Sequence, residues 1–246
     1  MPEQIIAMGG GGFSMEPENL ALDRYVLSQA RAADPIVCFV PTASGDSDNY
    51  ARRFYDSYSL LGCRPRCLSL YHLPTRDLRS YLGECDVVYV GGGNTRLLLL
   101  IWHELGLPDL LRQALREGTI LAGISAGANC WFQSSVTDSM GSVIDAWDGQ
   151  LQALEGLGFL TGSFCPHYDG EASRRAEFHR LVKEGALPAG WAADDGCALH
   201  FVDRVLDKVV TSRREAHAYR VELRDSAVEE TPHEARLLER VRGGLL

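Results

Sequence analysis

The stretch Thr119-Ile120-Leu121-Ala122-Gly123-Ile124-Ser125-Ala126-Gly127 decides the fold. Thr119–Ile124 is a β-prone run. Gly123–Gly127 fits the G-x-S-x-G pattern of a strand that turns sharply into a helix. Such a turn strains the backbone at the serine, and small flanking residues avoid the clashes. A helix is expected over Ala126–Gln133. At its start the Ala126 N–H lacks an intrahelical acceptor, and the helix dipole favours negative charge. Ser125 is therefore the candidate nucleophile, and Ala126 supplies half of a candidate oxyanion hole.

The preceding segments repeat this layout. Apolar runs at Gln4–Met8, Ile36–Val40 and Asp86–Val90, with a shorter one at Arg66–Leu70, read as strands. Pro17–Ala32, Asp48–Leu61 and Leu97–Arg116 read as helices, the last broken at Gly106-Leu107-Pro108 and the second capped by Asp46 or Ser47. Strands apolar on both faces and alternating with helices predict an α/β three-layer sandwich, with a mainly parallel sheet covered on each side. Ligands of such sheets bind beyond the carboxyl ends of the strands. That rule brings Gly9–Gly12, Pro41–Gly45, Gly91–Asn94 and Gly123–Gly127 to one rim. Further on, Phe159–Cys165 reads as a strand and Glu171–Glu184 as a helix. Cys197–Val202 and Val205–Val210 form a hairpin, and Ala218–Leu223 a third strand, which together make an antiparallel C-terminal edge. No linker or repeat interrupts residues 1–246, so one domain is expected.

Composition excludes several function classes. The 246 residues are 46% hydrophobic and 23% charged, the balance of a globular protein. The net charge of −9, with no Lys/Arg cluster, disfavours nucleic acid. The apolar run Leu97–Trp102 is about a third of the roughly 18–20 residues a membrane span needs, so no membrane partner is expected. Met1-Pro2-Glu3-Gln4 has neither the basic start nor the apolar stretch of a signal peptide. The seven cysteines are an odd number, and most sit in apolar runs, as buried thiols do. The cytoplasm is the expected location. Only Cys63 and Cys67 are close together, and nothing completes a zinc site with them. The glycine runs fit neither nucleotide-binding pattern. No metal and no cofactor is expected. The sequence leaves a homodimer open.

A serine nucleophile needs a base and a second oxyanion donor. His167, in Cys165-Pro166-His167-Tyr168-Asp169, follows a strand and reaches the rim. The other six histidines lie in helices, within a strand or in polar segments. The side-chain-free turn Gly91-Gly92-Gly93-Asn94 offers the second donor at Gly92 or Gly93. The acid orienting His167 has several candidates. Asp138 is preferred, because Ser125…Asp138…His167 follows the chain order of elbow hydrolases. Asp194, Asp195, Asp169 and Glu171 are its rivals.

Three motifs in this order carry a family resemblance: Gly91-Gly92-Gly93-Asn94-Thr95, Gly123-Ile124-Ser125-Ala126-Gly127-Ala128-Asn129 and Pro166-His167. From Ile5 to about Phe201 the chain resembles peptidase E, the aspartyl dipeptidase family related to cyanophycinase. The resemblance implies a class I glutamine amidotransferase-like fold in which Ser125 replaces the elbow cysteine. It implies Ser125 as nucleophile, His167 as base and Asp138 as acid, with Gly92 and Ala126 as the oxyanion hole. The family's arginine for the substrate's aspartate falls at Arg174, beside Arg175, and Asn94 joins it in substrate binding. The segment His167–Leu181 is shorter than in the family. The expected reaction is serine-type hydrolysis of small peptides, foremost dipeptides with N-terminal aspartate. Cyanophycin-like or β-aspartyl peptides are the second expectation, and a ligand-binding homologue without turnover is the third.

Overall fold

The computed structural model describes residues 1–140, 150–170 and 172–242. Five strands form the parallel part of the larger sheet: β1 (Gln4–Met8), β2 (Ile36–Val40), β3 (Arg64–Cys67), β4 (Val87–Val90) and β5 (Ile120–Ile124). Within each, successive side chains face opposite layers, as the two-residue period of a strand requires. Ile6 and Met8 of β1, Val87 and Tyr89 of β4, and Ile120, Ala122 and Ile124 of β5 pack into one core. Ile5, Ala7, Val88, Val90 and Leu121 pack into the other. Both faces are buried, which is why these strands read as continuous apolar runs.

The first core is closed by α1 (Gly12–Met15), α2 (Ala21–Leu27) and α3 (Asp48–Tyr58), through Phe13, Leu22, Val26, Phe54 and Tyr58. Ser47 caps α3, its hydroxyl accepting the Tyr50 N–H at 3.4 Å. The second core is closed by α4 (Leu78–Gly83), α5 (Thr95–Glu104) and α6 (Leu107–Glu117), through Leu82, Leu98, Trp102, Leu111 and Leu115. The expected break in the long helix is present. Gly106, in a left-handed conformation, separates α5 from α6, with a proline in the first turn of α6. Among the described residues, no helix is long and apolar enough to cross a membrane.

Two segments depart from expectation. The elbow helix, α7, spans only Ala126–Asn129, and the chain then turns into β6 (Phe132–Thr137). The apolar residues that follow it, Trp131 and Phe132, belong to the core, so they carry no information about helix length. The C-terminal strands are also divided between two sheets. β10 (Cys197–Val202) and β11 (Val205–Thr211) form the expected hairpin and extend the larger sheet antiparallel to β1. The short β14 (Arg236–Leu237) completes the order β14-β11-β10-β1-β5-β4-β2-β3. The strand expected at Ala218–Leu223 instead joins a second, six-stranded sheet as β12 (Ala218–Arg224). The others in that sheet are β6, β7 (Gln152–Glu155), β8 (Leu160–Cys165), β9 (Gly190–Ala193) and β13 (Ala227–His233), in the order β13-β12-β9-β8-β6-β7. α8 (Ala172–Lys183) packs on this sheet through Phe178, Leu181 and Val182. Stacked Phe132 and Phe164, with Phe201 edge-on to Phe132, tie the two sheets together.

Candidate active site

Ser125 stands between β5 and α7 with φ 54° and ψ −115°, a conformation costly for any residue with a Cβ. Three contacts hold it there. Its N–H donates to the Met8 carbonyl at the end of β1 (3.1 Å), and its own carbonyl accepts from Ala128 and Asn129 (2.9 and 2.8 Å). The elbow presses on the neighbouring strand so closely that a Cβ on Gly127 would lie 2.2 Å from the Val90 carbonyl oxygen. This close approach explains the glycine after the serine.

Below the elbow, four nearly inaccessible polar residues, Thr95, Asn129, Thr137 and Ser139, join α5, α7 and the end of β6. Asn129 Nδ2 donates to Thr95 Oγ1 and to the Val136 carbonyl, and Ser139 Oγ accepts the Thr95 N–H. This network fixes the Gly91–Asn94 turn relative to the serine.

His167 arrives from the second sheet. It follows β8 through Pro166 and has φ 53°, so the serine and the histidine are both held in the left-handed region. Its Nε2 lies 2.9 Å from Ser125 Oγ, and its Nδ1 lies 2.6 Å from Asp195 Oδ1. Burial alone would push the Asp195 carboxyl up. The hydrogen bond and charge of His167, with the charges of Arg213 and Arg174, outweigh burial and hold it below the ordinary carboxylate value. An ionised carboxylate only accepts. The ring proton therefore belongs on Nδ1, which leaves Nε2 to accept from the Ser125 hydroxyl.

The partner of His167 corrects the expectation of Asp138. Asp138 is half-buried directly after β6, next to the polar network under the elbow. The Nδ1 side of the imidazole instead faces the turn between β9 and β10. There the Asp195 N–H donates to Asp169 Oδ1 (2.8 Å), and Asp195 pairs with Gly10 in a short bridge. Asp194 points elsewhere and accepts the His217 N–H; burial pushes its carboxyl up to about 6. Glu171 lies outside the described residues. Of the acids weighed from sequence that lie among the described residues, Asp195 is the one that reaches the imidazole.

The Gly9–Gly12 run gains a specific role in the structure. A Cβ on Gly10 would lie 1.9 Å from Asp195 Oδ1 and 3.1 Å from His167 Nδ1. Only glycine leaves room for this pair at the end of β1. The glycine run on the rim was the available signal; what it made room for was not readable.

The other expected site residues are placed as follows. Gly92 lies against the serine: a Cβ there would be 3.3 Å from Ser125 Cβ. Its N–H is donated to the Tyr50 hydroxyl at 3.2 Å, and that hydroxyl also meets Ser14 Oγ at 2.6 Å. Burial pushes the Tyr50 phenol up, so it stays protonated. Ala126 opens α7 with an N–H that the helix itself cannot pair. Asn94 is the N-cap of α5, its Oδ1 accepting the Leu97 N–H at 2.8 Å. Arg174 is buried in α8, 4% exposed, and its charge reaches Asp195. Neither Asn94 nor Arg174 lines the cleft at the serine. Arg175 lies over the rings of Tyr168 and Tyr219 and pairs with Glu230 at 3.5 Å.

That cleft holds about 410 Å³ and is lined by Ser125, His167, Gly92, Tyr50, Ser14 and Arg53, among others. A larger cavity of about 900 Å³ lies by β7 and α8 and contains neither Ser125 nor His167. The reacting groups place the chemistry in the smaller one. Tyr50, Ser14 and Arg53 come from α1 and α3 and carry no motif that marks them in the sequence.

A serine hydrogen-bonded to an imidazole at the carboxyl edge of a parallel sheet defines a serine hydrolase site, and the comparisons with known proteins narrow it to a serine peptidase. The chain belongs to peptidase family S51, whose model matches residues 5–209. It is 54% identical to the uncharacterized peptidase YgaJ of Bacillus subtilis (strain 168), over 94% of this chain and 96% of that protein. It is 32% identical to peptidase E of Haemophilus influenzae, over 67% of this chain and 75% of that protein. A crystal structure of a peptidase from an acI-B1 Actinobacterium shares the fold, with a TM-score of 0.66 at 18% identity, covering 98% of this chain and 97% of the other.

Proposed function

We propose that this peptidase hydrolyses short peptides, foremost dipeptides with N-terminal aspartate, through Ser125, His167 and Asp195. The observation that carries the reading is the unbroken hydrogen-bonded chain from Ser125 Oγ through both imidazole nitrogens to Asp195. His167 Nε2 takes the hydroxyl proton while Ser125 Oγ bonds to the peptide carbonyl carbon. The carbonyl oxygen becomes an oxyanion, facing the N–H groups of Ala126 and Gly92. To use Gly92, it displaces the Tyr50 hydroxyl or shares the donor with it. Collapse of this intermediate breaks the C–N bond, and the imidazolium gives its proton to the leaving amine. Water, deprotonated by His167, then releases the acyl group and restores Ser125. Asp195 holds the ring tautomer throughout and stabilises the imidazolium.

A cleft of this size is in the range of small-molecule sites, roughly 300–1,000 Å³, and suits a short peptide. The aspartate preference follows the peptidase E resemblance. All seven cysteines are free thiols, which supports a cytoplasmic location.

The test is a panel of Asp-X, β-Asp-X and uncharged dipeptides with wild type and Ser125→Ala. Wild type should cleave Asp-X fastest, and the variant should be inactive yet folded. Turnover surviving in Ser125→Ala would refute the nucleophile.

A further inference from the structure

We propose that Arg53 is the carboxylate anchor of the substrate cleft. This deepens the peptidase reading and rests on it for the identity of the bound peptide. Three observations point to Arg53. First, it lines the same cleft as Ser125 and His167, and it is the one permanently charged side chain among the described residues of that lining. Second, it is held in place from two sides. Its guanidinium sits 5.3 Å from the centroid of the Tyr50 ring, and Nη2 donates to the Ser14 carbonyl. Third, it is not neutralised: none of the ion pairs among the described residues includes Arg53, in a chain where acids outnumber bases by 33 to 24.

An oriented guanidinium with no carboxylate partner among the described residues, facing the cleft, is built to receive an anion. Its planar fork matches a carboxylate with two parallel N–H···O bonds. The position is also tied to the reacting centre. Tyr50 and Arg53 are three residues apart and share one face of α3. Tyr50 reaches the Gly92 N–H, and Gly92 touches Ser125. A peptide whose carbonyl displaces the Tyr50 hydroxyl therefore lies alongside the residue that orients Arg53. Arg174, the arginine suggested by sequence, is buried and does not line this cleft.

An Asp-X dipeptide offers two carboxylates, the aspartate side chain and the C-terminus. The chemistry at Arg53 is the same for both, and three ligands separate them. Asp-Leu carries both groups, Asn-Leu lacks the first, and Asp-leucinamide lacks the second. Binding is measured by calorimetry on Ser125→Ala, so that no turnover intervenes, and on Ser125→Ala with Arg53→Met or Arg53→Lys. Circular dichroism checks that each variant is folded.

A hydrogen bond to a charged group predicts that Arg53→Met weakens Asp-Leu at least about tenfold, with Arg53→Lys in between. One of the two analogues should be indifferent to the substitution. Indifference of Asn-Leu identifies the side-chain carboxylate, and indifference of Asp-leucinamide the C-terminal one. An equal effect on all three ligands, no effect on any, or no measurable binding of Asp-Leu overturns the proposal. Arg53-dependent binding in a protein whose wild type cleaves no peptide would uphold the anchor and refute the peptidase reading instead.

Discussion

Replacing Asp195 by asparagine exchanges one carboxylate oxygen for an NH₂ group and tests the geometry of the whole site. The carboxylate accepts from His167 Nδ1 at 2.6 Å. An asparagine amide can place its NH₂ there, and a donor facing Nδ1 favours the tautomer with the proton on Nε2. That nitrogen, 2.9 Å from Ser125 Oγ, would then donate to the serine rather than take its proton. The corresponding change in a Ser-His-Asp enzyme lowers kcat about 10⁴-fold, or about 5.4 kcal/mol of barrier. KM should change little, because Asp195 points at the histidine and not into the cleft. The same change at Asp138 should leave kcat within about threefold, since surface or peripheral substitutions are usually small in effect. The assay is steady-state hydrolysis of Asp-Leu, with phosphonylation of Ser125 by a fluorophosphonate as a second readout. A four-decade loss in Asp138→Asn with near-normal turnover in Asp195→Asn would refute the reasoning.

Three further predictions follow from contacts elsewhere. Gly10→Ala should lower kcat by about 10²-fold or more, because its methyl would displace the Asp195–His167 pair; kinetics on protein verified as folded checks this. Gly127→Ala should cost about 1–3 kcal/mol of stability by forcing the elbow away from Val90, read as a lower urea midpoint with an unchanged slope. Asp23 is fully buried, and burial pushes its carboxyl up to about 7 against the hydrogen bonds from Tyr58 and the Phe13 N–H. Between about pH 4 and about 7 the native state therefore holds a proton that the unfolded chain has lost, and stability falls as pH rises through that window. The Tm of Asp23→Asn should drop less than that of wild type between pH 5 and pH 8. His200, pushed down to about 4 by burial, works in the opposite sense, losing stability as pH falls below its ordinary value. Its effect is common to both proteins and cancels in the comparison.

The parts of the molecule that were legible in sequence are those built from local pattern. Strands β1, β2, β4 and β5 are buried on both faces, so each shows as an uninterrupted apolar run. Gly106 and the proline after it marked the division between α5 and α6, because their backbone preferences act within a few residues. The elbow was legible for the same reason: Ser125 and its glycines are adjacent in the chain. Trp131 and Phe132 misled because a core aromatic looks alike in a helix and in a strand. Ala218–Leu223 reads as a strand, but its sheet does not follow from its pattern, since its pairing with β9 joins residues about 25 or more apart in sequence.

By itself, the sequence determined an α/β sheet with a strained serine on its rim and a histidine at a neighbouring strand end. Tertiary structure decided which carboxylate reaches that histidine and which cation shares the cleft. Asp195 lies 28 residues from His167 in sequence, yet 2.6 Å away in space. It arrives there because β10 pairs with β1 and because Gly10 leaves room at the end of β1. Arg53 reaches the cleft because α3 packs over β2 and β4 with Tyr50 turned towards Gly92. Neither placement leaves a periodic or adjacent signal. Both depend on register and packing between distant segments, which no local pattern encodes.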